Sequence, residues 1–156
     1  LSPSSAASDV YKRQVTMKNY KQEVERFRKA QEKDWETVRE ELVDGHKYSH
    51  WIWYIFPQLK GFGYSYMSEY YGIDGREEAL AYYADDYLRD HLIEATSLVL
   101  NHKDKDIREI MGSDIDALKL KSSMTLFWEV TRNPLFKEVL DSFYGGVMDM
   151  KTKGYL

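Results

Sequence analysis

The sequence predicts an all-α protein, a compact multihelical single domain of about eight short helices. Three observations lead there. Apolar residues recur three and four positions apart in most segments, the spacing of a helix with one buried face. Helix-starting Ser, Asp, Asn and Pro alternate with helix-stopping Gly at intervals of one short helix. No run alternates apolar with polar residues beside a second run with which it can pair.

The elements follow in order. From Asn19 onward, Val24, Phe27 and Gln31 share a stripe among charges. Asp34 is placed to cap a second helix, Trp35 to Val43, with Val38 and Leu42 four apart and Gly45 as the stop. No proline separates the two, so one helix with a kink is an equal reading. His50 to Phe56 is a short apolar run that fits a buried strand or helix. Helix is the expectation, with Ser49 as cap and Pro57 as terminator, because a lone strand has no partner. Gln58 to Ser65 is a glycine-bearing loop. Ser65 caps Tyr66 to Tyr71, and Asp74-Gly75 leads into Arg76 to Ala84. Asp85 or Asp86 starts the next helix, whose stripe is Leu88, Leu92, Ala95 and Val99. After a polar turn, Ile107, Ile110 and Met111 form a short helix ended by Gly112. Asp114 to Thr131 is the longest helix. Asn133-Pro134 opens the last one, which stops at Gly145-Gly146 and leaves a weakly structured tail to Leu156.

Composition narrows the function classes. The chain has 156 residues, 43% apolar and 15% aromatic, with 13 Tyr, 4 Trp and no Cys. That content buries a sizeable core and excludes global disorder, a disulfide scaffold and a cysteine metal site. No apolar run approaches the ~18–20 residues of a membrane span. A formal charge of −4 argues against general nucleic-acid binding, leaving room for a local basic patch. A soluble, cytoplasmic protein without membrane association is the expectation. The opening residues stand apart. Asp9-Val10-Tyr11-Lys12-Arg13-Gln14 matches the translation of the transposon end used in sequencing libraries. Residues 1–16 are therefore read as a non-native leader, with Met17 as the native start and 17–156 as the single domain.

Two segments carry candidate chemistry. On the helix from Asp114, Ile115, Leu118, Leu126 and Val130 share a face at about 100° per residue. Lys119 and Ser122 fall in the same sector, while Leu120, Met124, Phe127 and Trp128 make the other side apolar too. That helix should be central. Lys119 is then a lysine on a core-facing stripe, with Asp116, Ser122 and Ser123 as its helical neighbours. Three readings stay open: a snorkelling lysine, a cation lining an anion-binding cavity, and a Ser–Lys pair for nucleophilic work. The second segment, Lys47 to Gln58, sets Lys47, Ser49, His50 and Gln58 among Trp51, Trp53, Tyr54 and Phe56. Aromatic walls with a few polar tips describe a small-molecule pocket suited to a flat ring, and equally an ordinary aromatic core. His50 is the general acid/base candidate. Gly61-Phe62-Gly63-Tyr64-Ser65 is a weak candidate for an anion nest. His46 and His50 have a helical zinc spacing, but Gly45 spoils the geometry, so neither a metal nor a cofactor is expected.

Ser49-His50-Trp51-Ile52-Trp53-Tyr54-Ile55-Phe56-Pro57-Gln58 and Asp116-Ala117-Leu118-Lys119-Leu120-Lys121-Ser122-Ser123-Met124-Thr125-Leu126-Phe127 resemble the two signatures of the domain-of-unknown-function 1810 family, often mislabelled calpastatin. The resemblance runs from Arg26-Phe27 and Ala30-Gln31 through Gly45, Gly61-x-Gly63-x-Ser65 and Tyr70 to Phe143, Gly145 and Asp149. It implies a mainly α-helical, bacterial-type soluble fold and supplies no reaction. Where the family often has His-Pro, this chain has Asp85-Asp86. The matched signatures nominate Lys47, Ser49, His50, Trp51, Trp53, Gln58, Lys119, Ser122, Ser123 and Thr125 as a shared site. Within it His50, Lys119 and Ser122 are the catalytic candidates, and the others bind ligand. The expected occupant is a small anionic or aromatic ligand. The competing expectation is a non-catalytic protein-interaction module, built on exposed tyrosines between Tyr64 and Tyr87.

Overall fold

The computed structural model describes residues 20–156, and the leader assigned to residues 1–16 lies outside them. Among the described residues there are nine helices: α1 (Glu25–Asp44), α2 (Ile52–Ile55), α3 (Tyr66–Tyr70), α4 (Gly75–Ala84), α5 (Asp86–Leu100), α6 (Ile107–Met111), α7 (Asp114–Thr131), α8 (Pro134–Phe143) and α9 (Met150–Tyr155). They make one compact domain, and no sheet forms among these residues. A single parallel bridge, Leu59 to Ile73, ties down the loop before α3. None of the helices is long and apolar enough to cross a membrane.

Local signals set most boundaries. Ser65, Asp85 and Asn133 each accept a hydrogen bond from a backbone N–H of the turn they cap. Gly45 and Gly112 end their helices in the left-handed region, at φ +80° and +83°. The predicted stripes are buried as expected, from Val24, Phe27 and Gln31 through Leu88, Leu92, Ala95 and Val99.

Three expectations need correction. The two N-terminal segments form one unbroken helix, α1, and Asp34 lies inside it rather than capping anything. Its carboxylate instead accepts a hydrogen bond from the Tyr54 hydroxyl on α2, a partner twenty residues away. Ser49 does not cap α2, which is a single turn starting after Trp51. The C-terminal tail is helical: Asp149 caps α9 through the Thr152 N–H, and α9 packs on α7.

α7 is the centre of the domain, packed by α2, α4, α6, α8 and α9. An aromatic ladder crosses it. Phe27 meets Tyr82 edge-on at 5.0 Å, Tyr82 meets Phe127 at 5.4 Å, and Phe127 meets Phe136 at 5.8 Å. These rings join α1, α4, α7 and α8 at separations favourable for aromatic pairs. Two buried polar side chains add direction to this apolar contact. Gln31 donates from Nε2 to the Tyr54 carbonyl and the Tyr82 hydroxyl, while its Oε1 faces His91 Nδ1 at 2.9 Å. With the amide oxygen as acceptor, His91 donates from Nδ1, and its ring stacks on Trp35 at 3.8 Å.

Glu41 is the second polar hub. Its carboxylate accepts from the Tyr48 N–H at 2.7 Å, the Ser49 N–H at 2.8 Å, the Ser49 hydroxyl at 2.5 Å and Trp51 Nε1 at 3.0 Å. Burial pushes the carboxyl pKa up, but hydrogen bonds from Ser49, Tyr48 and Trp51 outweigh it and hold the group below its ordinary value. Glu41 thereby fixes the segment that carries the first signature onto the end of α1.

Candidate functional site

The first half of α7 sits differently from its pattern. Ile115 and Leu118 are 67% and 63% exposed, so the Lys119 stripe faces a groove and not the core. The helix becomes central only from Leu120, where the buried residues run almost without interruption to Phe127. The groove is two adjoining hollows that share Ile115 and Lys119. One, of about 270 Å³, lies between α7, the Gln58–Phe62 loop and α9, and also takes in Ser122, Asp149 and Lys151. The other, of about 310 Å³, lies between α7 and the first signature, with Lys47, Tyr48, His50, Trp53, Gly112 and Asp116 in its walls. The second reaches the lower end of the size range of small-molecule sites.

The cations of the groove differ in their partners. Lys47 is 6% exposed, and its Nζ donates to Asp116 Oδ2 at 2.6 Å, an ion pair that neutralises both. Asp116 is thus taken by a residue far away in sequence, and does not serve Lys119 on its own helix. Among the described residues no carboxylate lies at ion-pair distance from Lys119 or Lys151. Each stands over a ring instead: Lys119 Nζ is 5.1 Å from the Trp53 centroid, and Lys151 Nζ is 4.5 Å from Phe62. Burial lowers the Lys119 pKa from its ordinary value; Asp116 pulls it up and Lys47 pushes it down.

The nominated residues divide accordingly. Lys47, His50, Trp53, Gln58, Lys119 and Ser122 line the groove, with Lys119 common to both halves. Ser122 is not paired with Lys119. Its hydroxyl donates to the Leu118 carbonyl at 3.3 Å and to Asp149 Oδ2 at 3.1 Å. Thr125 accepts from the Asp149 N–H at 2.9 Å, so these two residues clamp the start of α9 against α7. Trp51 is 1% exposed and held by Glu41, and Ser49 is spent on the same carboxylate, so neither lines the groove. Ser123 is fully buried. Its hydroxyl and Trp53 Nε1 are buried side-chain polar atoms that find no hydrogen-bond partner among the described residues. Such groups are uncommon in native structures.

Sequence reasoning missed Glu41, Lys151 and the use of Asp149. The Asp149-x-x-Thr152 spacing is a legible cap signal. Nothing local marks Glu41 or Lys151, whose roles depend on segments brought together by folding. No cluster of three or more His, Asp or Glu suited to a metal occurs among the described residues.

Two larger hollows, about 510 Å³ each, open elsewhere. In one, Arg26 is bound to Glu78 at 2.7 Å among further carboxylates; in the other, Arg108 is bound to Asp106 at 2.7 Å. Their guanidinium groups are already neutralised.

A family model described as "Protein of unknown function (DUF1810)" matches residues 21–156. The chain belongs to the DUF1810 family. It is similar to the conserved hypothetical protein Rv1873 from Mycobacterium tuberculosis, whose crystal structure matches with a TM-score of 0.82 and 44% identity. The match covers 85% of this chain and 95% of that one. None of the curated proteins compared with the chain matches it. In this DUF1810 chain the two signature segments face each other across the groove, and Gly112 sets their approach. A Cβ at Gly112 would lie 2.5 Å from the Lys47 carbonyl oxygen, in a backbone conformation that already disfavours side chains. Gly112→Ala should therefore cost about 2–3 kcal/mol. Urea denaturation should show this as a lower midpoint with an unchanged slope.

Proposed function

We propose that this chain binds a small anionic ligand in the groove on α7, with Lys119 as the central contact. The observation that carries the reading is a half-buried amine, common to both hollows, whose nearest helical carboxylate is consumed by Lys47. An unpaired, partly desolvated cation gains most from an anion that enters beside it. Lys151 and the Gln58 side chain give the same anion further partners in the first hollow. Tyr48 and Trp53 give a flat ring, such as a nucleobase, an aromatic wall in the second, where His50 is the available proton carrier. Ser49, Trp51, Ser123 and Thr125 act behind the site as supports. The setting we infer is the cytoplasm.

Thermal-shift measurements with inorganic phosphate and nucleoside monophosphates test this reading. A ligand present at 100 times its Kd should stabilise the fold by about 2.7 kcal/mol. Lys119→Ala should remove most of that shift while leaving the ligand-free melting temperature nearly unchanged. Absence of any shift with every anion rejects the site.

A second reading, a protein-interaction surface without chemistry, draws on the exposure of Tyr64, Tyr66 and Tyr70, the last two stacked on each other. Against it, Tyr54 and Tyr82 are buried and Tyr71, Tyr83 and Tyr87 pack partly against the core, which leaves Tyr64, Tyr66 and Tyr70 of that stretch for such a surface.

A further inference from the structure

Resting on the anion-site reading, we propose that Lys119 is a nucleophilic amine whose substrates are small oxoacids, anions that carry an aldehyde or ketone carbon beside a carboxylate. The first hollow holds two lysines in different surroundings. Lys151 is exposed on α9, over Phe62, and is suited to hold a carboxylate. Lys119 is half-buried between Trp53 and the Lys47–Asp116 pair, without a carboxylate of its own among the described residues. A lysine whose ammonium is disfavoured by burial is the kind that reacts as a free amine, and at Lys119 burial outweighs the opposing pull of Asp116. The charged and titratable groups around it are Asp116 on its own helix, Lys47, Tyr48 and His50 on the segment before α2, and Asp149 and Lys151 at α9. Among these, the carboxylates are both engaged, Asp116 by Lys47 and Asp149 by Ser122 and Thr152.

The step balances without an oxidant or reductant. The Lys119 lone pair attacks the carbonyl carbon, the π pair moves onto oxygen, and a proton passes from nitrogen to that oxygen. The carbinolamine hydroxyl then leaves as water with a proton from His50. The iminium nitrogen returns a proton to His50, leaving a C=N bond to Lys119 and one water.

Glyoxylate, the smallest aldehyde of this class, tests the assignment when added to the full chain with sodium cyanoborohydride, which reduces the imine to a stable amine. Peptide mass mapping should find Lys119 modified before any other lysine, and inorganic phosphate should slow that modification. Lys119→Arg should lose this adduct while the other lysines are labelled as before. Labelling without preference for Lys119 overturns the inference. A phosphate shift with Lys119 unlabelled overturns it while sparing the anion site. Labelling of Lys119 with no anion shift sustains the reactive amine and rejects the anion site.

Discussion

Glu41→Ala should destabilise the domain by about 4 kcal/mol, close to the cost of breaking a buried, hydrogen-bonded charge site. The carboxylate accepts four hydrogen bonds from three residues of one short segment, Tyr48, Ser49 and Trp51. Removing it strands two backbone N–H groups, a hydroxyl and an indole N–H, and at least the indole is in the interior. At the size of this chain that loss corresponds to a fall in Tm of about 10 °C. Differential scanning calorimetry would measure it.

The pH dependence provides a sharper check on the same residue. The folded pKa of Glu41 is depressed relative to the unfolded value of about 4.3. A depressed carboxyl pKa stabilises the fold fully above the unfolded pKa, and that contribution is lost as pH falls through the folded one. The stability gap between the parent chain and Glu41→Gln should therefore be constant near neutrality and shrink on acidification below pH about 4. A gap that stays constant down to pH 3 would show that the carboxylate charge contributes nothing. The consequence reaches the groove, because His50 and Trp53 follow Ser49 directly. Glu41→Gln should weaken anion binding without touching the ligand.

Phe127→Ala should cost about 3–5 kcal/mol. The ring is fully buried and lies between Tyr82 and Phe136, so its removal cuts the aromatic ladder where α4, α7 and α8 meet. The surrounding helices are held by their other contacts and can collapse only partly into the space, which is why the cavity adds to the lost burial. Phe127→Leu keeps most of the volume and should cost about 1–1.5 kcal/mol. Urea denaturation of both variants separates the cavity contribution from the loss of aromatic contact. Phe127 is absent from both hollows, so the variants should bind anions normally wherever they remain folded. Lost binding in folded Phe127→Leu would place the groove under the control of the core.

How far the candidate site was legible follows from the range of each interaction. The signature segments could be singled out from residue types alone, and six of their ten nominated residues line the groove. The other four are nominated by the same pattern yet do not line it, because Glu41 holds Ser49 and Trp51 while Ser123 and Thr125 lie on the buried side of α7. The Lys119 face was misjudged for a related reason. Helical angle shows which residues share a side, but whether that side is covered depends on packing partners, and among the described residues α7 lacks one over Ile115 and Leu118.

The chain's own order of residues determined the all-helical class, the apolar stripes and the helix ends at Ser65, Asp85, Asn133, Gly45 and Gly112. Each of these depends on hydrogen bonds or backbone angles within about four residues, a range that sequence spells out directly. Tertiary structure alone decided that α1 runs unbroken past Asp34, that Lys47 takes Asp116 from Lys119, that Glu41 gathers the first signature, and that Asp149 draws Ser122 and Thr125 into holding α9. Those pairings join residues 7 to 69 positions apart. A buried charge or hydroxyl takes whichever partner the packed helices bring within reach, and sequence spacing does not carry that information.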